Sequence, residues 1–169
     1  AANSSGGWLR ITGQPAWAGA LGIADPGIRV KGSTVAGSGN SNESDIIATA
    51  FDPTDNINYS TFNVTSGLTT SNALQIGEFS IRDGGAIGTD TDIDGTNLTD
   101  IQFAVSNNQS IAALAIFDGT TNVSEITTVG PLAAFSGLTT LIANDDATKT
   151  FAVYATFKSI VTDISIIHL

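Results

Sequence analysis

Cysteine and methionine are absent from this chain, and histidine occurs once, as His168. Those absences exclude thiolate and His-cluster metal sites, disulfide frameworks, Cys nucleophiles and Fe–S centres, which all need cysteine or more than one histidine. Cations are scarce as well: six Lys and Arg stand against sixteen Asp and Glu, for a net charge of −10. DNA or RNA is repelled by that balance, and no basic patch offsets it, so no nucleic-acid partner is expected. No window approaches the roughly 18 continuous apolar residues of a spanning helix, so membrane insertion is not expected either. The opening Ala1-Ala2-Asn3-Ser4-Ser5-Gly6-Gly7 has neither the basic start nor the apolar stretch of a signal peptide, and it begins on Ala, which reads as a processed or excised chain.

The chain does have apolar material. Hydrophobic residues make up 41% of 169 positions, with eight Phe among them, enough to close a core in one domain, or one plus part of another. A surface rich in Thr, Ser, Asn, Gly and Asp, poor in Lys and free of Cys and Met, suits an exported protein, so an extracellular, cell-surface location is expected.

Residues 1–44 differ from the rest. They hold Trp8 and Trp17 and three of the six cations, Arg10, Arg29 and Lys31, and end in the polar stretch Gly37-Ser38-Gly39-Asn40-Ser41-Asn42-Glu43-Ser44. They read as an N-terminal strand-containing segment or inter-unit connector, followed by a β-sandwich module over 45–169. Two short strands, Trp8–Thr12 and Gly27–Lys31, cannot form a domain alone. Trp8–Thr12 or Ile28–Lys31 is therefore expected to add to a sheet edge, either in its own domain or in the next unit. From Asp45 onward, β-branched and aromatic runs bounded by Gly, Asn and Asp predict strands over 45–51, 57–65, 73–82, 98–106, 111–118, 123–129, 138–142, 149–157 and 161–167. Ile101, Phe103 and Val105, and Phe151, Val153, Ala155 and Phe157, alternate as core-facing rows. Between Leu74/Ile76 and Phe79/Ile81 the apolar parity changes across Gly77, which predicts a β-bulge. The fold class is all-β, a two-sheet antiparallel sandwich.

The sharpest local motif is Asp90-Thr91-Asp92-Ile93-Asp94-Gly95. Alternating carboxylates ahead of a Gly turn match the first half of an oxygen-rich Ca²⁺ loop. An EF-hand is excluded, because position 12 counted from Asp90 is Ile101 where a bidentate Glu is required. A looser Ca²⁺ site remains open, completed by Asp83 or Asp100; so does a plain polar hairpin loop whose Asp side chains bond local backbone. No cofactor is required otherwise. Asp145-Asp146, Asp118-Gly119, Asp52-Pro53 and Asp83-Gly84-Gly85 read as turn chemistry at strand ends. His168 sits in an apolar terminal strand without a G-x-S-x-G nucleophile elbow, and no enzymatic activity is expected. N-x-[ST] sequons begin at Asn3, Asn42, Asn58, Asn63, Asn97, Asn108 and Asn122, more than the two to three that chance supplies at this Ser and Thr content, so a glycosylated surface is one reading. Trp8 and Trp17, with Tyr59, offer ring platforms for sugars; the two Trp equally suit packing on a neighbouring module.

Five segments carry a resemblance: Ile76–Gly85 (IGEFSIRDGG), Thr96–Phe103 (TNLTDIQF), Ile116–Gly119 (IFDG), Phe135–Leu138 (FSGL) and Lys149–Tyr154 (KTFAVY). In order and spacing, over about 120 residues, they resemble tandem modules of very large secreted surface proteins of the Bacteroidetes, gliding-motility adhesin-like proteins among them. The resemblance implies an immunoglobulin-like β-sandwich strung with others into an extracellular fibre, with no activity of its own and no site residues to carry over. Two functions are expected from here. One is a structural module of a fibre or adhesin whose partners are neighbouring copies. The alternative is a carbohydrate-binding sandwich whose partners are surface glycans.

Overall fold

The computed structural model describes residues 8–9, 28–34, 44–49, 51–52, 58–85 and 88–161. Among these residues ten strands follow in chain order: β1 (Trp8–Leu9), β2 (Ile28–Thr34), β3 (Ser44–Ala48), β4 (Leu74–Asp83), β5 (Thr96–Ala104), β6 (Ile111–Asp118), β7 (Thr121–Ile126), β8 (Leu132–Phe135), β9 (Ile142–Ala143) and β10 (Thr148–Phe157). They form two antiparallel sheets. One runs β1-β2-β5-β8, with β9 also on β5; the other runs β3-β4-β10-β6-β7. The all-β, two-sheet expectation holds. β2 pairs with β5 in the register Val30↔Ile101 and Lys31↔Asp100, so the Ile28–Lys31 run reaches a sheet edge within its own chain. The predicted strand over 161–167 lies, beyond Val161, outside the described residues.

Alternation places the core. Ile101 and Phe103 of β5, Ala133 and Phe135 of β8, and Phe79 and Ile81 of β4 with Phe151, Val153 and Ala155 of β10 are all buried in one cluster. The sheets meet through aromatic rings: Phe79 stacks on Phe151 at 5.7 Å in its own sheet, reaches Phe103 across the gap at 6.0 Å, and Phe103 meets Phe135 edge-on at 5.9 Å. Burying each ring contributes roughly 1.5–3 kcal/mol. The expected bulge is present, since β10 pairs Val153 with Gly77 but Tyr154 with Gln75, leaving Ile76 as the extra residue.

β6 explains its unbroken apolar run. It lies between β10 and β7, and its second face is covered as well. Leu68 and Ala73, from the stretch ahead of β4, pack with Ala113, Ala115 and Phe117 of β6 in a second buried cluster, joined by Val64, Ala152 and Tyr154. A strand covered on both faces is apolar at every position instead of alternating.

Two sequence-based strands are corrected. The strand expected over 57–65 is absent from its described part, 58–65: Tyr59–Thr61 is a single 3-10 turn, and Tyr59 and Phe62, three residues apart, both pack on the core. From there the chain becomes the strap that covers β6. The 138–142 strand is replaced by β8 at Leu132–Phe135 and the two-residue β9. Leu138 and Leu141 are buried, but from the turn between those strands.

Candidate functional site

Where β4 ends and β5 begins, the chain turns through Gly84 and the acidic motif, and the β9–β10 turn lies against it. The pairing Thr148↔Arg82 brings this turn to the end of β4. Asp83 is 3% exposed, and both its carboxylate oxygens are engaged. Oδ1 accepts from Thr96 Oγ1 at 2.6 Å and Oδ2 from the Asp146 N–H at 3.0 Å. Because the Thr96 hydroxyl proton is committed to Asp83, Ser44 Oγ, 2.6 Å away, donates to Thr96. This relay, Ser44 to Thr96 to Asp83, ties β3 and β4 of one sheet to β5 of the other.

The acidic motif folds as a ladder of side-chain-capped turns. The N–H of Asp92 donates to Asp90 Oδ1 at 3.1 Å, and that of Asp94 to Asp92 Oδ1 at 2.8 Å. The N–H of Asp90 donates across to Asp146 Oδ1 at 2.8 Å, which locks this loop to the β9–β10 turn. Asp146 itself takes a left-handed backbone, φ 53°. Close approach is built into the glycines: a Cβ on Gly84, φ +77°, or on Gly95 would collide with the backbone of Thr89 or Ala143 respectively.

The result is a group of four carboxylates, Asp83, Asp90, Asp145 and Asp146, with one oxygen from each lying within 4.8 Å of the others. Such a cluster offers hard oxygen donors to a divalent cation. Asp92 stands beside it: one of its oxygens, Oδ2, is buried without a hydrogen-bond partner among the described residues, and its charge acts on both Asp90 and Asp145. Partial desolvation in this corner, then the like charges around them, raise the carboxyl pKa of Asp90 and Asp145 above the ordinary value. For Asp90 the Asp92 N–H works in the opposite sense.

Of the four aspartates singled out in the sequence, Asp83 and Asp90 belong to the group, Asp92 adjoins it, and Asp94 lies outside it. Asp100 accepts from Thr99 Oγ1 at 2.8 Å and takes no part. Asp145 and Asp146, which read only as turn residues, complete the group. Strand register alone brings them there, and no local motif marks it.

The other candidate residues are dispersed. Trp8 pairs through its backbone with Arg29, and Trp17 lies outside the described residues. Among the sequons, Asn58 and Asn63 are exposed, Asn58 accepting from Ser60 Oγ at 2.7 Å. Asn97 is half-buried in β5. Asn108 Nδ2 donates to the Val129 carbonyl at 2.9 Å, and Asn122 Nδ2 to the Leu68 carbonyl at 3.0 Å and to Glu125 at 2.8 Å. Asn3, Asn42 and His168 lie outside the described residues. No helix among the described residues is long and apolar enough to cross a membrane. No family model, curated protein or solved structure matches this chain.

Proposed function

We propose that the chain is a non-catalytic structural module, an immunoglobulin-like sandwich of an extracellular fibre or cell-surface adhesin, whose acidic corner holds Ca²⁺ and joins its loops. The carboxylate quartet is the observation that carries this reading. Two oxygens on one Ca²⁺, each 2.3–2.6 Å from the ion, are at most about 5 Å apart, and the quartet's oxygens lie within 4.8 Å of one another. The buried, unpartnered Asp92 Oδ2 is a further donor of the right chemistry. The quartet joins residues on either side of β5 in the sequence, so a shared cation would act as a cross-link between strand-end loops, a mechanical role suited to a fibre unit.

The experiment is thermal unfolding in chelator and in millimolar Ca²⁺. Binding only to the native state stabilises by about 2.7 kcal/mol at a hundredfold excess over Kd. An unchanged melting temperature would refute the cation site. Electron microscopy of the native assembly tests the module itself: strings of compact units are expected, and a freely diffusing monomer as the sole native form would overturn it.

A further inference from the structure

Among the described residues, the two most exposed large apolar side chains stand at opposite ends of the sandwich. Ile93 is 86% exposed and Ile160 87% exposed. Ile93 lies at the tip of the acidic loop, between Asp92 and Asp94, at the end where β10 begins. Ile160 follows the other end of β10, ten residues and about 30 Å away at strand rise. Two residues before Ile160 is Lys158. Of the three cations with described side chains, Arg82 is paired with Asp45 and Lys149 with Asp118, each at 2.7 Å, whereas Lys158 is exposed and pairs with no described carboxylate. Lys158 borders a shallow depression of about 500 Å³ lined also by Thr65, Ser66, Ala112 and Thr127.

One end of the unit thus carries an apolar knob among carboxylates. The other carries an apolar residue, an exposed ammonium and a hydroxyl-rimmed hollow. We propose that these ends are complementary and that the chain docks head to tail on a second copy, the Ile93 loop seating against Ile160 and the depression while Asp94 meets Lys158. The inference rests on the reading of the chain as an assembling module and names the contact. Net charge of −10 on each copy opposes approach, but at physiological salt the Debye length is about 8 Å, so local complementarity decides the docked geometry. A contact between different patches is heterologous, and because these two patches lie at opposite ends of the unit it stacks copies into a linear array. So small a contact is weak between free copies and gains when units are held at high effective concentration.

The test is sedimentation equilibrium of the chain at millimolar concentration, in chelator so that cation binding plays no part. Wild type is expected to gain mass with concentration. Ile93→Asp disables the head and Lys158→Glu the tail; both positions are exposed, and circular dichroism checks that both variants fold. Each alone is expected to stay monomeric, while an equal mixture forms a one-to-one dimer, because each supplies the end the other lacks. A monomeric wild type, a variant that assembles alone as wild type does, or a mixture that stays monomeric would overturn the proposal. Strings of units in the native assembly alongside any of these results would keep the module reading and place the contact elsewhere.

Discussion

Glu125 is one of three glutamates in the chain, and the strap over β6 hangs on it. Its carboxylate accepts from the backbone N–H groups of Gly67 and Leu68, each at 2.9 Å, and from Asn122 Nδ2 at 2.8 Å. Glu125→Ala removes all three acceptor contacts. Hydrogen bonds to a charged group contribute about 1.5–3 kcal/mol each, which sets an upper bound near 4.5–9 kcal/mol. Two features lower it: Gly67 is exposed, so water replaces its partner, and Asn122 keeps its bond to the Leu68 carbonyl at 3.0 Å. The Leu68 N–H is less accessible, and Leu68, 2% exposed, depends on the strap staying in place over Phe117. A loss of about 2–4 kcal/mol is therefore expected, with Glu125→Gln, which retains one acceptor oxygen, losing about half as much. Urea unfolding gives the total, and amide hydrogen exchange locates it: Gly67 and Leu68 should exchange much faster while the amides of β10 keep their order of protection. A loss under about 1 kcal/mol with unchanged exchange at Leu68 would refute the claim that Glu125 anchors the strap.

In the acidic corner, the raised pKa of Asp90 and Asp145 means that folding penalises their ionised forms. The penalty is present above the folded pKa and is relieved as pH falls through it towards the ordinary carboxylate value, so in chelator their contribution favours mildly acidic over neutral pH. Asp145→Asn should raise the melting temperature at pH 7 in chelator, flatten that pH dependence and reduce the response to Ca²⁺, all readable in one set of melts. In the core, Phe79→Ala should cost about 3–5 kcal/mol by denaturant titration, because the ring is fully buried between Phe151 and Phe103. Gly95→Ala forces a Cβ onto the Ala143 carbonyl, with the Asp145 nitrogen 3.1 Å away. It should cost about 1–3 kcal/mol as overpacking does and weaken the Ca²⁺ shift, since residues 143–145 must yield.

Strands with strict alternation were legible in the sequence. Ile101/Phe103/Val105 and Phe151/Val153/Ala155/Phe157 face the core as their period requires, and the parity change at Gly77 marks a real bulge. Reading failed where tertiary packing sets the spacing. Tyr59 and Phe62 meet the core from a 3-10 turn, a period that the β-rich run INYSTFNVT conceals. Leu132–Phe135 is a short strand directly after Pro131, too brief for periodicity to reveal, while Leu138 and Leu141 borrow a strand's composition in a turn. The acidic site was half legible for a related reason. Asp90 and Asp92 announce themselves by local spacing, whereas Asp145 and Asp146 join Asp83 only because β10 lies beside β4, a pairing between residues more than sixty positions apart.

That same placement of β10 governs the order in which the molecule can come into being. β10 is the last described strand in the chain, yet it lies at the middle of its sheet, bonded on one side to β4 and on the other to β6. A chain emerging N-terminus first, from a ribosome or through an export channel, cannot bring β4 and β6 into one sheet until residue 157 has cleared the exit. Contacts of such long sequence separation form slowly, and until they form the Phe-rich inner faces stay exposed. The β3-β4-β10-β6-β7 sheet therefore closes late, once its C-terminal strand is there to join β4 to β6.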